Sequence, residues 1–516
     1  SVDFVYGGSG SGSVDTSLAP DAKQAFEKAG FKVNSVLWDF YKSGKGSQYR
    51  KKTPNEAGHG TFEINEVPAS VYTEDVKSSL NDDFAVCFIG RSGGESADLP
   101  LGKLGTGFGY LEIDQNEQDM IKLACSKYSK VILLVNANNP MELGFLDDAA
   151  YANVKAAVWV GGVGQEGLYA IPKLLKGEYN FSGRLVDTYA YDSTSAPSFQ
   201  NMGNFTITNS KVTNGNKYIV YAEGIYIGYR YYETRYEDVV LGNTTGFDYK
   251  NEVQFPFGYG LSYSSFTWSD FTVQENADGK SYDLSVKVEN TSDVAGQDVV
   301  EFYVQKPYNK GEVETASIEL VDFKKTEMIN AHESKVVSVN VSKEDLTSYD
   351  YKTNKTYILD KGDYYFSVGK DAHDALNNVL ASKGKSVSNG MTEEGKAALA
   401  NKFLTVDAVD ATTYAKSSVT GKDISNAFDD VDVNKYETLQ YLSRNAWDTT
   451  FPTPFKNHSW EASGDLLSDL EFFKVDSDTT DDDVVNANLY LTTVAYLYKD
   501  NFANLFTALN NKIAHD

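Results

Sequence analysis

The chain is 516 residues long, enough for about three domains. Its 47 Lys and Arg stand against 73 Asp and Glu, a net charge of −26 that repels nucleic-acid phosphates and anionic membranes alike. A hydrophobic content of 41%, with 13% aromatic, is too high for a disordered acidic chain, and no run approaches the roughly 20 apolar residues of a membrane span.

Up to about residue 190, short apolar runs alternate with helical patterns. Val2–Tyr6, Phe84–Ile89, Val131–Val135 and Ala156–Val160 read as buried strands. A helix over Asp114–Tyr128 starts on a capping-box-like Asp114 and Glu117, and another is expected over Gln165–Lys176. Alternation of this kind implies an α/β domain over 1–265, a mostly parallel sheet covered on both faces. Cys87 and Cys125, the only two cysteines, sit in apolar or helical context and read as small buried hydrophobes. Neither a disulfide scaffold nor a Cys/His metal site is expected. Two cysteines are compatible with an extracellular or cell-surface setting without showing it.

After Ser262 the pattern changes to a period of two. Tyr282, Leu284, Val286 and Val288 alternate with polar residues, and the alternation recurs at Val300/Phe302/Val304, Val337/Val339/Val341 and Tyr364/Phe366/Val368. These strands predict an all-β sandwich of immunoglobulin or fibronectin-III type over 266–375. A mixed, partly helical extension follows over 376–516, with helices expected at Thr392–Phe403 and Asn486–Asn510 and a solvated acidic linker at Asp476–Asp483.

Four loops at strand ends, three of them glycine-rich, could carry chemistry. Gly7–Gly12 lacks the G-x-G-x-x-G spacing running straight into a helix, so a structural or substrate-lining loop is favoured over a phosphate cradle. Arg91–Asp98 leaves the carboxyl end of a strand, the edge where open α/β sheets bind ligands, and places Glu95 among glycines. Arg91 or Asp98 could tune that carboxyl, although an exposed loop Glu is the plainer reading of spacing alone. Val160–Gly167 could line a pocket with Gln165 and Glu166, or its glycines could simply make a tight turn; Asn136–Pro140 poses the same choice.

Six stretches together resemble glycoside hydrolase family 3, the β-glucosidase and β-xylosidase family: Gly90–Asp98, Val135–Gly144, Trp159–Gly167, Gly177–Tyr189, Tyr221–Glu233 and Phe255–Phe266. The sandwich then resembles that family's fibronectin-III-like domain. The resemblance implies a (β/α)8 (TIM) barrel with a nucleophilic Asp in a Ser-Asp-Trp motif and a sugar-holding Lys-His. Neither motif occurs here, and Trp268-Ser-Asp270 and Ser468-Asp-Leu470 lie in the wrong domains, so the catalytic barrel is expected to be absent from this chain. The segment Tyr441–Pro452 resembles one in members whose sandwich and fibronectin-like domains precede the barrel. That points to a permuted enzyme whose barrel is supplied in cis or in trans.

The resemblance places the general acid/base at Glu95, within Gly93-Gly94-Glu95-Ser96-Ala97-Asp98, with Arg91 and Asp98 as substrate contacts. The loop departs from the family's pattern at Gly93 and Ser96 and lacks an Arg after Asp98. The implied reaction is retaining hydrolysis of a terminal β-linked sugar, with no metal or organic cofactor and a carbohydrate as the small-molecule partner. Two carboxyl groups about 5–5.5 Å apart would share it. The competing reading is a non-catalytic carbohydrate-binding or scaffold module, and nucleotide binding comes a distant third.

Overall fold

The computed structural model describes residues 2–7, 14–50, 64–93, 99–202, 205–210, 220–426, 434, 439–452, 459–465 and 467. They form two compact units. The larger combines residues 1–199, 224–425 and 443–449; the smaller combines 200–223, 426–442 and 450–516.

In the larger unit, a parallel three-stranded sheet runs in the order β1 (Ala85–Arg91), β2 (Val131–Ala137), β3 (Val154–Trp159). Cys87 pairs with Leu133 and Ile89 with Val135, so successive side chains alternate between two cores. Cys87, Ile89, Leu133 and Val135 face α3 (Gln115–Lys127), which buries Met120, Ile121, Ala124 and Cys125 against them. On the opposite face, Leu134 packs with residues of α1 (Ala22–Lys28) and α2 (Ser35–Lys42), and with Leu168 and Ile171 of the 167–175 turns. The capping box at the start of α3 forms as expected: the Asp114 carboxylate accepts from Glu117 N–H at 2.9 Å, and Glu117 returns the bond to Asp114 N–H at 3.1 Å.

Several expectations are corrected. Val2–Tyr6 joins no ladder; the Asn136 side chain pairs with the N–H and C=O of Val5 in place of a strand neighbour. The span read as a helix over Gln165–Lys176 is a 3-10 turn, Gly167–Tyr169, running into the short α4 (Ala170–Leu175). Pro172, which lacks an N–H to donate, sits in its first turn, where none is needed. The sheet is not covered everywhere either, since Lys155–Ala157 and Trp159 of edge strand β3 are exposed.

The sandwich follows as two antiparallel sheets. One has the order β8 (Ser334–Ser342), β5 (Ser281–Asn290), β4 (Phe266–Glu275). The other has the order β7 (Glu319–Lys325), β6 (Val299–Gln305), β11 (Gly362–Gly369), β12 (Ala400–Val406). A small hairpin, β9 (Ser348–Asp350) with β10 (Thr356–Ile358), closes one end. Leu284, Val286, Val288, Phe302, Val304 and Phe366 are fully buried between the sheets, the inward set that the period of two selects. β12 lies where the sequence suggests a helix over Thr392–Phe403 and beyond the expected boundary at 375. Phe403 stacks on Phe366 with centroids 3.9 Å apart, and this packing against β11 overrides the local helical pattern.

The sandwich and the α/β part share a seam within the larger unit. Tyr229, at the start of α5 (Tyr229–Leu241), stacks on Phe257 at 4.6 Å and accepts from Leu320 N–H at 2.9 Å. Gly258 has φ +89°, and a Cβ there would come within 2.2 Å of a Glu301 carboxylate oxygen, so this position requires glycine twice over. α6 (Ala372–Ser382) seals the seam, its Ala372 N–H bonding the Phe257 carbonyl at 2.9 Å. Arg184 reaches across to Asp298, which also accepts from the Trp268 indole at 2.8 Å. By contrast, Ile225, Leu261 and Tyr263 of the same aromatic stretches are exposed.

In the smaller unit, Thr206–Ile207 pairs in parallel with Ser459–Trp460, and Phe205, Val220 and Ala222 form a small apolar cluster with Leu439. The expected helix at Asn486–Asn510 and the acidic run Asp476–Asp483 lie outside the described residues. Among the described residues there is no (β/α)8 barrel, and no helix is long and apolar enough to cross a membrane.

Candidate functional site

The carboxyl ends of β1, β2 and β3 bring three of the sequence-selected loops to one edge. Ser92 and Gly93 continue from β1, Asn138–Pro140 from β2, and Val160–Gly167 from β3. A shallow hollow there is lined by Asn138, Asn139, Trp159 and Asp187.

Asn136, buried at this edge, ties three segments together. Its amide donates to the carbonyls of Val5 and Gly161, and its oxygen accepts from Val5 N–H. The Trp159 indole donates to Ala137 carbonyl at 2.7 Å. Gly161 and Gly164 have φ of +55° and +61°, so the glycines of this third loop serve a tight turn, the plainer of the two readings.

The base of the first loop is held by a buried network. Arg91 is 1% exposed, and all five of its N–H groups are engaged. Two go to the Glu117 carboxylate, at 2.8 and 2.7 Å, in a bidentate pair; the other three go to the carbonyls of Tyr110, Gly90 and Glu112. Burial disfavours the Arg91 charge, but Glu117 more than offsets it and keeps the guanidinium firmly protonated. Burial also raises the neighbouring Asp114 carboxyl. Next along the chain, the Tyr110 hydroxyl donates to Ser92 carbonyl and accepts from Ser92 N–H, both at 2.9 Å.

The sequence offers Arg91 as a sugar contact. Here its donors are taken up inside the chain, and the side chain anchors the loop from below. Glu95 and Asp98 lie outside the described residues. Sequence reasoning did not single out Glu117 and Tyr110 for this role. A signal existed for the first: a capping glutamate on a helix whose other inward residues are apolar is buried, and a buried carboxylate needs a cation. Among the described residues no cluster of three His, Cys, Asp or Glu could hold a metal, and Cys87, buried on β1, has its thiol pushed up to about 12 by burial.

Comparison with known proteins fits this geometry. Residues 3–229 match the glycosyl hydrolase family 3 C-terminal domain, and residues 298–372 match the fibronectin type III-like domain. A β-glucosidase of Ruminococcus albus is 30% identical over 386 residues, which are 72% of this chain and 36% of that protein. β-Glucosidase A of Butyrivibrio fibrisolvens is 28% identical over 411 residues, covering 72% of this chain and 45% of that one. Among solved structures, β-glucosidase 3B of Thermotoga neapolitana, in complex with α-D-glucose, superposes with a TM-score of 0.56 at 27% identity, over 71% of this chain and 47% of its own. A β-glucosidase of Paenibacillus barengoltzii gives 0.59 at 25% identity, over 72% and 38%. The chain thus spans less than half the length of these relatives. Through its α/β sandwich and the fibronectin-III-like domain behind it, it belongs to glycoside hydrolase family 3.

Proposed function

We propose that the chain supplies the acid/base half of a retaining, β-glucosidase-like hydrolase, with Glu95 as the general acid/base and the nucleophilic Asp on a (β/α)8 barrel in cis or in trans. The observation that carries this reading is the anchored loop base: Arg91, Glu117 and Tyr110 fix Ser92 at the sheet's carboxyl edge, three residues before Glu95. A catalytic carboxyl on a loop needs such support, because small displacements of a proton donor cost large factors in rate. The substrate is a terminal β-linked sugar. Glu95 protonates the leaving oxygen as the barrel Asp attacks the anomeric carbon, then takes a proton from the water that releases the sugar. Asp98 remains a proposed sugar contact, and Arg91 becomes a positioning residue.

The test is hydrolysis of a nitrophenyl β-glycoside panel by this chain alone and joined to a family 3 barrel. The chain alone should give no turnover, because half of a double displacement does not substitute for the whole. The completed protein should turn over, and Glu95→Ala should slow poor leaving groups more than activated ones. If the completed protein binds glycosides but never cleaves them, the non-catalytic carbohydrate-binding module is the correct reading. Turnover by the isolated chain would show that the catalytic carboxylates lie elsewhere.

A further inference from the structure

We propose that Ser443–Thr449 is a docking strap: it plugs an acidic and aromatic groove on the larger unit and so fixes the point from which the chain runs on towards a barrel in cis. The barrel rests on the function proposed above; the fit of the strap does not. The segment lies inside Tyr441–Pro452 and belongs to the larger unit, although the residues on both sides of it, 426–442 and 450–516, belong to the smaller one. A short piece that returns to a body its neighbours have left needs strong contacts to offset the ordering it undergoes.

Two side chains supply them. Arg444, which is buried, donates Nε and one terminal nitrogen to an Asp238 oxygen at 2.9 and 2.8 Å, and the same terminal nitrogen reaches Glu237 at 2.7 Å. Its guanidinium also lies over the Tyr308 ring, 4.5 Å from the centroid. Trp447, 3% exposed, donates its indole N–H to the other Asp238 oxygen at 2.8 Å and packs edge-on against Tyr226 at 4.7 Å. One carboxylate therefore holds both members of an Arg-x-x-Trp pair. At the start of the strap the two Glu314 oxygens accept from the Ser443 hydroxyl at 2.6 Å and the Arg444 N–H at 3.1 Å. Near its end Asp448 lies 3.6 Å from Arg235.

The groove selects this occupant. Glu237 and Asp238 are adjacent on α5 and both buried, and Lys383, 3.6 Å from Glu237, is too distant for a close pair. Burial opposes the charges of Glu237 and Arg444, and each more than offsets that for the other: Arg444 holds the Glu237 carboxyl below its ordinary value, and Glu237 and Asp238 keep the guanidinium protonated. Without the strap, two carboxylates would stay buried without their main cation, which is strongly unfavourable. A lysine could not replace the planar fork that stacks on Tyr308 while bonding both acids. Arginine and tryptophan are also the side chains that most often dominate docking between separate proteins.

The experiment uses the protein joined to a family 3 barrel in cis, the double variant Arg444→Ala/Trp447→Ala, and a fluorescent synthetic peptide of residues 441–452. The peptide should bind the variant, whose groove is open, and not the unchanged protein; a peptide carrying Arg444→Met should bind at least about tenfold more weakly. The variant should lose at least about tenfold in kcat/KM on nitrophenyl β-glycosides. Saturating peptide should not restore it, since a refilled groove is still not joined to the barrel. Where the double variant does not fold, a flexible Gly-Ser insertion of about eight residues after Thr449 keeps the groove filled and should cause a similar loss. The proposal is overturned if the folded variant ignores the peptide, if variant and insertion turn over as the unchanged protein does, or if the peptide restores turnover, which would make the strap only a piece of the fold. An unchanged protein that never turns over counts against the acid/base reading alone. The strap is then decided by peptide binding and by small-angle X-ray scattering, where the insertion should enlarge the radius of gyration and an unchanged radius would overturn it.

Discussion

Two buried charge clusters in the larger unit solve the same problem in opposite ways. At the base of the first loop, Glu117 is buried but has a bidentate arginine, and it keeps the Arg91 guanidinium protonated. At the seam with the sandwich, Glu301 is buried and Asp371 partly buried with no bidentate arginine, and desolvation pushes each carboxyl up to about 7. His373 sits beside them, its Nδ1 2.8 Å from a Glu233 oxygen; burial opposes its charge, but Glu233 raises it overall. What separates the two clusters is where the cation is committed: Arg91 gives two of its donors to Glu117, whereas Arg184, which faces Glu301 at the seam, is bonded to Asp298.

The largest effect should come from removing the counter-charge of Arg91. Glu117→Gln keeps a residue able to complete the capping box but leaves Arg91 charged, buried and without its carboxylate. Breaking a buried pair from one side costs about 3–5 kcal/mol. Denaturant unfolding of the variant should show a loss of that order; a loss below about 1 kcal/mol would mean that Arg91 is sustained by its backbone carbonyls and not by the pair.

The seam should make stability depend on pH. Glu301 accepts from the Tyr303 hydroxyl and faces Arg184, Asp371 and Asp298, while Asp371 caps α6 and faces Asp374, His373 and Glu233. Each carboxyl, and His373 as well, has a folded value raised above its unfolded one. Their contribution to stability is therefore complete below the unfolded values and is lost as pH rises through the folded ones. For the two carboxyls that window runs from about pH 4 to about pH 7. Stability should fall across it by about 3–4 kcal/mol, since a tenfold change in proton affinity is worth roughly 1.4 kcal/mol and the two groups titrate together as a pair that holds one extra proton. Glu301→Gln should flatten the slope, as should Asp371→Asn, which preserves the helix cap. A slope unchanged in both variants would place the titrating groups elsewhere.

This contrast also shows what could be read before the structure. The sandwich was legible because one wet face and one dry face leave a period of two in the letters, as at Tyr282–Val288. β1, β2 and β3 were legible as apolar runs, and the capping box gave the start of α3. What could not be read depended on distant partners. Asn136 looks like a loop residue until Val5 lies beside it, and β12 looks helical until Phe403 meets Phe366. Arg91 is the most instructive case. Its place next to a glycine-rich loop suggested a ligand contact, whereas its five donors find one carboxylate and three carbonyls from within the chain. Which of two neighbouring polar groups faces a substrate is settled by what the other packs against, and spacing carries no record of that.

The smallest change sharpens the comparison most, because it separates stability from placement. Tyr110→Phe keeps the ring beside Arg91 and takes away two hydrogen bonds from the Ser92 backbone, one to its N–H and one to its carbonyl. Net hydrogen bonds are worth about 0.5–1.5 kcal/mol each, so unfolding should shift by roughly 1–3 kcal/mol, below the effect of Glu117→Gln. The kinetic effect in the barrel-completed protein should be of another kind. If Ser92 sets where Glu95 stands, loosening it affects the step that needs the proton. Then kcat should fall for glycosides with poor leaving groups, while activated aryl glycosides, which need little protonation, and KM should change little. A structural role alone would lower the amount of folded enzyme and leave the ratio between the two substrate classes where it was. An unchanged ratio, measured on protein shown to be folded at the assay temperature, would remove Tyr110 from the positioning of the acid/base loop.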